Sequence, residues 1–525
     1  MEFTTVTPGF TPESRWLRLV MGHPVALAVA VAAAGALPSL AIPFMADDWL
    51  NLASISNQSF FRTAYGYFRP AYLGTYWLDS LLWGLTPWAF HLTNLLLICA
   101  STGLMVAVIG RYTGDAVVTA LAGLMLALHP FHVGNAAWIA ARSDPMYGLF
   151  SAAALLCYDR WRTRRMGLPI AALLLYEVAL LSKEAAITLP AVVILIGYLD
   201  RGRRPTSREW VAGYLPFACL TLLHFVLVRP WALGSTAVPA MGAFGKFWVW
   251  KLLGFSVCAV LPMPIEILEA DPLAWGITGA VTGGCLLLAA WLHAGGIPSM
   301  ALAAALLFVV LLVPSLISFQ ERYYFVPGAA AALAVAALIR ASHRGVARVT
   351  AAVLVTAWLM LAAWQWMAWI DAGHVSEALI SELARASRRD GVREVLLVNV
   401  PYRVHGVPVV GDFGTAIALL ERRRVRVLTA AEVDYPTGET NALDGSYRDA
   451  VHVGPDAVTV RLRLAEGLFS RYDGPLPRKG GDRVELGYAS ILLSTPGVIQ
   501  VLIPAAAAAA RPTFVWSGGR LTEIR

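Results

Sequence analysis

Five short polar stretches interrupt an otherwise apolar chain, and each carries side chains that could do chemistry. The first is "FMADDWLN", with Asp47 and Asp48 side by side after a run with no charge; a carboxylate there could take the proton of an acceptor hydroxyl or help to hold a cation. "YFRPAYLGTYWLD" offers Arg69, and "HPFHVGNAAWIAARSD" offers His129, His132, Arg142 and Asp144. "LLSKEAAITLP" sets Lys183 beside Glu184, and "FQERYYFVPG" sets Glu321 and Arg322 beside two tyrosines. A charge near the membrane core costs several kcal/mol, so such groups are expected to be paired or used. The bland alternatives are solvated acids beyond a helix end for Asp47 and Asp48, an Arg142–Asp144 ion pair at a helix start, and a snorkelling Lys183. The His-x-x-His spacing fits a metal only loosely, because Pro130 intervenes and no third ligand is evident. Taken together, Arg69, Arg142, Lys183 and Arg322 with two acids suit a negatively charged phosphate ester and a hydroxyl that must be deprotonated.

The elements that would position these residues are membrane helices. The 525-residue chain is 58% hydrophobic and only 14% charged, against about 25% in soluble domains. A formal charge of +7 is explained by arginines in short loops that face the cytoplasm, so nucleic acid is not an expected partner. The five cysteines all lie in apolar segments, which argues against a disulfide framework. With about 20 apolar residues per span, about 11–13 transmembrane helices are expected, the first an uncleaved helix over 22–44 rather than a signal peptide. Residues 1–21 form a cytoplasmic N-terminus, 22–370 a membrane domain, and 45–86 a first external loop containing an interfacial aromatic stretch. Further spans are expected near 88–109, 115–128, 211–228, 273–293, 298–314, 325–341 and 348–370, with 246–264 horizontal or re-entrant. This parity brings all the polar clusters to one external face. Residues 371–525 read as a small extracytoplasmic α/β or mainly β domain, with strands in "REVLLVNVP", "RVRVLTA", "DAVTVRLRL" and "GVIQVLIP" and a helix in "GTAIALLERRR".

The ordered set "ADDWLN", "FRPAYLGTYWLDSLLWGLTPWAFHLTNLLL", "HPFHVGNAAWIAARSD", "LLSKEAAITLP" and "ERYYFVPG" resembles the GT-C membrane glycosyltransferases. The likeness is nearest to the transmembrane O-mannosyltransferases with tetratricopeptide repeats and to bacterial relatives of the protein-mannosyltransferase and aminoarabinose-transferase type. It spans about residues 45–330. It implies a polyprenyl-phosphate sugar donor and a single inverting displacement, with Asp47 as base and Asp48 its partner. Arg69, Arg142, Lys183 and Arg322 become candidates for the lipid phosphate. His129, His132, Asp144, Glu184 and Glu321 become candidates for supporting the substrate site. Relatives commonly carry an acid soon after the second histidine, where this chain reads Val133, Gly134, Asn135, and the repeat array is replaced by the C-terminal domain.

The expectation is a GT-C-like α-helical polytopic enzyme of the cytoplasmic membrane, with its active site on the extracytoplasmic side. Its acceptor would be a protein, lipid or glycan, its surroundings membrane lipids, and a divalent cation, Mg or Mn, a possible cofactor. The competing readings are a transporter or flippase for lipid-linked glycans and a catalytically inactive scaffold. Transport should place essential charges within central spans, whereas these charges cluster at one face.

Overall fold

The computed structural model describes residues 22–56, 61–63, 66–164, 168–201, 206–207, 209–233, isolated positions between 273 and 307, 320–342, 344–389, 391–435, 442–463, 469–471, 483–495 and 498–524. The chain divides into two compact units: Met1–Leu40 with Gln58–Trp366, and Ala41–Asn57 with Met367–Arg525.

The first unit is helical: α1 (Pro24–Ala36), α2 (Pro70–Trp83), α3 (Pro87–Thr113), α4 (Ala116–Leu128), α5 (Ser143–Arg164), α6 (Ile170–Ser182), α7 (Pro327–Ala341) and α8 (Arg344–Ser387), which from Met367 onward lies in the second unit. Proline opens α1, α2, α3 and α7, where its missing N–H is no loss. Gly114 ends α3 in a left-handed conformation, and Asp115 accepts hydrogen bonds from the Val117 and Val118 amides to cap α4. Beyond α4 the chain bends by 53° into Pro130–Ala137.

Four helical stretches among the described residues are long and apolar enough to cross a membrane: Pro24–Ala41, Pro87–Thr113, Glu209–Ala232 and Gly345–Ser387; the bent pair would make five. The segment 246–264 lies outside the described residues, and of the helices expected near 273–293 and 298–314 only isolated positions are described. The last helix runs 17 residues past its expected end at 370, because Asp371, His374 and Glu377 end the apolar run without breaking a helix.

Small residues let these helices approach closely, as lipid-embedded packing requires. Ala28, Ala32 and Ala36 are the buried face of α1, which packs on α3 and α4. A Cβ on Gly148 of α5 would lie 2.7 Å from Ser101 Oγ on α3 and 2.9 Å from a Val326 methyl at the start of α7. The expected external helix α2 shows Leu78, Leu81, Leu82 and Trp83 outward and buries Tyr72, Leu73, Tyr76 and Asp79, an amphipathy suited to the membrane interface.

The second unit holds two sheets. In the mixed sheet, β1 (Glu394–Val404) pairs in parallel with β3 (Arg426–Tyr435) and β10 (Thr513–Ser517); β2 (Val407–Pro408), β6 (Phe469–Arg471) and β11 (Arg520–Glu523) add antiparallel pairs. The antiparallel sheet orders β4 (Val451–Val453), β5 (Ala457–Arg463), β9 (Val498–Pro504), β8 (Ser490–Thr495) and β7 (Arg483–Glu485). β1 is buried almost throughout, as a central strand covered on both faces must be, whereas β5 and β9 alternate. Arg423 donates to the carbonyls of Ser387, Arg389 and Val392 and so closes the end of α8.

The three-helix contact at Gly148 yields a prediction. Gly148→Ala forces Ser101 or Val326 to move and should destabilise the protein by about 1–3 kcal/mol. Thermal unfolding in detergent should show a lower midpoint, and an unchanged midpoint would contradict the close approach.

Candidate active site

In the helical unit, three of the four expected cations converge on one tyrosine. Arg69 is the residue before Pro70 at the start of α2, and its Nε donates to Glu184 Oε2 at 2.9 Å while Nη2 donates to Oε1. This two-point fork is the geometry that guanidinium and carboxylate share. The guanidinium also lies 4.6 Å over the Tyr67 ring. Lys183 follows α6 in extended backbone, and the chain then tightens into the 3-10 turn Glu184–Thr188. That change of backbone separates two neighbouring charges: Glu184 turns to Arg69, while Lys183 pairs with buried Asp144 in the first turn of α5.

Lys183 Nζ sits 4.0 Å from the centroid of the Tyr323 ring, and Arg322 lies 5.3 Å over the same ring and 4.1 Å over Trp138. Arg322 belongs to the 3-10 turn Glu321–Tyr324, held by an Asn135 side-chain amide that donates to the Arg322 carbonyl at 3.2 Å. Burial alone would raise the Tyr323 phenol, yet Arg322, Lys183 and Arg69 together bring it below its ordinary value. Burial likewise pushes Lys183 down against the opposing pull of Asp144. For Arg69 the balance tips the other way: Glu184 overcomes the burial penalty and holds the guanidinium charged. Arg69, Lys183 and Arg322 thus bring three cationic groups to one buried aromatic surface, and a fixed cation shielded from water attracts an anion strongly.

Arg142 is not part of this cluster. It is fully buried, and its donors are spent on the protein: Nε to Asn94 Oδ1 at 2.8 Å, Nη1 to Asp79 Oδ2 at 2.6 Å and Thr75 Oγ1 at 3.0 Å, and Nη2 to the Phe90 carbonyl at 3.0 Å. The Tyr76 ring lies 4.6 Å beneath it. The two neighbours read as a possible ion pair therefore part company, Arg142 going to Asp79 and Asp144 to Lys183. Asp79, a lone acid in an aromatic helix, was the signal for this node, since a charge at that depth needs a partner.

His129 and His132 are buried among aromatic rings. His129 stacks on Tyr324 at 4.5 Å and meets Trp358 edge-on at 4.9 Å, and His132 lies 4.9 Å from Phe325. Both line a cavity of about 290 Å³ with Gly35, Thr102, Ala362 and Trp366. Glu321 accepts a hydrogen bond from Gln365 Nε2 at 2.8 Å. Residues the sequence reading passed over include Tyr67, Trp138 and Tyr323 of the cation cluster and a buried His224 bonded to Glu177 at 2.8 Å.

Asp47 and Asp48 lie in the other unit, at the start of the helix Asp47–Ser56. Asp48 is buried and its Oδ2 accepts from the Met45 amide at 3.0 Å; Asp47 is half-buried. Among the described residues no three His, Cys, Asp or Glu side chains are grouped closely enough to share a metal ion.

The Arg142 node and the cation cluster should respond differently to substitution. Arg142→Ala leaves Asp79 buried without its partner and should cost about 3–5 kcal/mol, whereas Arg322→Lys, which keeps the charge beside Trp138 and Tyr323, should cost markedly less. Thermal melts of the two purified variants distinguish the roles, and a mild Arg142→Ala would deny it a structural one.

No protein-family model matches the chain. The human protein O-mannosyl-transferase TMTC2 is 35% identical over 131 residues, which cover 24% of this chain and 16% of that protein. Tmtc2 of Drosophila melanogaster is 33% identical over 239 residues, 41% of this chain and 24% of that protein. The chain thus matches about a sixth to a quarter of the length of these relatives. Among solved structures, ArnT from Cupriavidus metallidurans in the apo state superposes with a TM-score of 0.34 at 15% identity, over 78% of this chain and 85% of that one. The apolar helices and the mixed C-terminal domain make this chain a polytopic membrane protein, similar over part of its length to the protein O-mannosyl-transferases.

Proposed function

We propose that the protein is a membrane glycosyltransferase that moves a sugar from a polyprenyl-phosphate donor to an acceptor hydroxyl at the extracytoplasmic face. The observation that carries this reading is the convergence of Arg69, Lys183 and Arg322 around buried Tyr323. Such a site stabilises a departing lipid phosphate as its bond to the sugar breaks, because fixed charges shielded from water need no reorganisation. The partial relationship to O-mannosyl-transferases supports the same reaction class.

In this mechanism the acceptor oxygen attacks the anomeric carbon from the face opposite the phosphate, so configuration inverts. The C–O bond to phosphate breaks, the electron pair leaves on the phosphate, and the acceptor proton passes to Asp47. Asp48 has a different part: its Oδ2 is occupied in holding the Met45 amide. Glu184 and Asp144 hold Arg69 and Lys183 in place, and Arg142 acts through structure. His129 and His132 shape the acceptor side. A divalent cation would be an addition to this scheme.

The test is an assay of purified protein with a panel of polyprenyl-phosphate sugars, following release of free polyprenyl phosphate. Asp47→Asn should abolish transfer with membrane insertion intact, and a normal rate in that variant overturns the base assignment. Asp48→Asn keeps an oxygen acceptor for the Met45 amide and should cost less than about tenfold. Arg322→Gln should reduce kcat by about 10²–10³, the usual loss when one charge-stabilising donor is removed.

A further inference from the structure

The C-terminal domain grips the segment that carries the acid pair. Residues Ala41–Asn57 belong to the same compact unit as Met367–Arg525. The Ala46 amide donates to the Val409 carbonyl at 3.0 Å, and Ala46 forms a parallel bridge with Val410. The chain around Val409 is itself fixed, since the tight turn at His405 and Gly406 returns β2 against the end of β1. On the other side of the segment, Ser376 Oγ donates to the Phe44 carbonyl at 3.3 Å. Pro43 lies so near α8 that a Cβ on Gly373 would stand 3.0 Å from its ring.

Two residues in this grip have no conformational slack. Ala46 has φ of +41°, a left-handed conformation that a residue with a side chain rarely adopts without a surrounding structure to hold it there. Gly411 is the residue facing it: a Cβ there would stand 3.2 Å from the Ala46 carbonyl oxygen, 3.3 Å from its carbon and 3.7 Å from Asp47 Oδ1. The hydrogen bond to the Val409 carbonyl, the left-handed turn at Ala46 and the close approach of Gly411 thus converge on the residue before Asp47. From there the helix Asp47–Ser56 departs to pack on the helix Phe413–Glu421, which follows Gly411 directly.

We propose that the C-terminal domain sets the geometry of the acid pair, and that Gly411 and Ala46 are positioning residues that aim the Asp47 carboxylate. The inference rests on the reading of Asp47 as the base. A Cβ at Gly411 would press on the Ala46 carbonyl, and the branches of a valine there would extend toward the flank of that carboxylate. Displacement of a general base by even 1 Å costs reaction rate far more than it costs substrate affinity.

The experiment uses the full-length protein in lipid nanodiscs with three variants, Gly411→Val, Ala46→Val and Ala46→Gly. Two readouts are taken: steady-state transfer from the polyprenyl-phosphate sugar found active for the parent protein, and amide hydrogen exchange over residues 44–52. Gly411→Val and Ala46→Val should lower kcat by about tenfold or more with the donor KM within about twofold, and both should speed exchange at Met45–Asp48. Ala46→Gly, which accepts a positive φ freely, should retain kcat within about threefold. Exchange in strands β5 and β9 reports whether the domain stays folded, and it should not change. Unchanged kcat and unchanged exchange in Gly411→Val overturn the proposal, as does faster exchange with kcat unaffected. Asp47→Asn run alongside separates the two ideas: if it stays active, the base assignment fails, whereas a dead Asp47→Asn with a fully active Gly411→Val removes only the positioning role.

Discussion

Burying a charge without a partner is what this fold cannot tolerate, and the partners it has found determine how its helices meet. Arg142 is the clearest case: it is fully buried and is surrounded by an acid, a hydroxyl, an amide and a backbone carbonyl from α2 and α3. Removing such a group from water costs several kcal/mol unless its donors are met almost completely, so α2 and α3 can adopt only the arrangement that meets them. Lys183 with Asp144 and Arg69 with Glu184 repeat the logic, one tying α6 to α5 and the other tying the loop before α2 to the turn after α6.

The same constraint sorts the cations by role. Arg142 meets its partners so fully that its charge is internal to the scaffold. Arg69 and Lys183 are paired too, but each sits at an end of its helix, and with Arg322 they bear on a shared aromatic surface. Arg142 is enclosed by hydrogen-bond acceptors, whereas Lys183 and Arg322 share the Tyr323 ring.

Much of this was legible beforehand. Long apolar runs marked the helices around 24–41, 87–113, 209–232 and 345–370 because membrane insertion demands them. Period-two alternation marked β5 and β9, and the unbroken apolar run marked β1. The charged candidates were legible as types, because a lysine or an arginine beside an apolar helix always requires explanation. Their partners were not. Asp144 follows Arg142 by two positions, yet it pairs with a lysine 39 residues away, and Glu184 adjoins Lys183 yet pairs with an arginine 115 residues away. Proximity along the chain said nothing, because helix direction separates neighbours and packing unites strangers. The shorter strands β6, β7, β8, β10 and β11 were also passed over, since three to six residues carry too little periodicity to register.

For this protein the sequence by itself determined the solvent each segment would accept: apolar runs for lipid, a mixed composition for the C-terminal domain, and isolated charges that had to be reconciled with both. Composition and period are local properties, and transfer free energies act on them locally. Only the tertiary structure decided which charges meet, and that "ADDW" bridges to the chain at Val410, some 360 residues downstream, rather than standing as a bare loop. Those decisions depend on distances of a few ångströms between residues far apart in the chain, over which Coulomb energy and hydrogen bonding vary steeply and about which a linear sequence carries no direct signal.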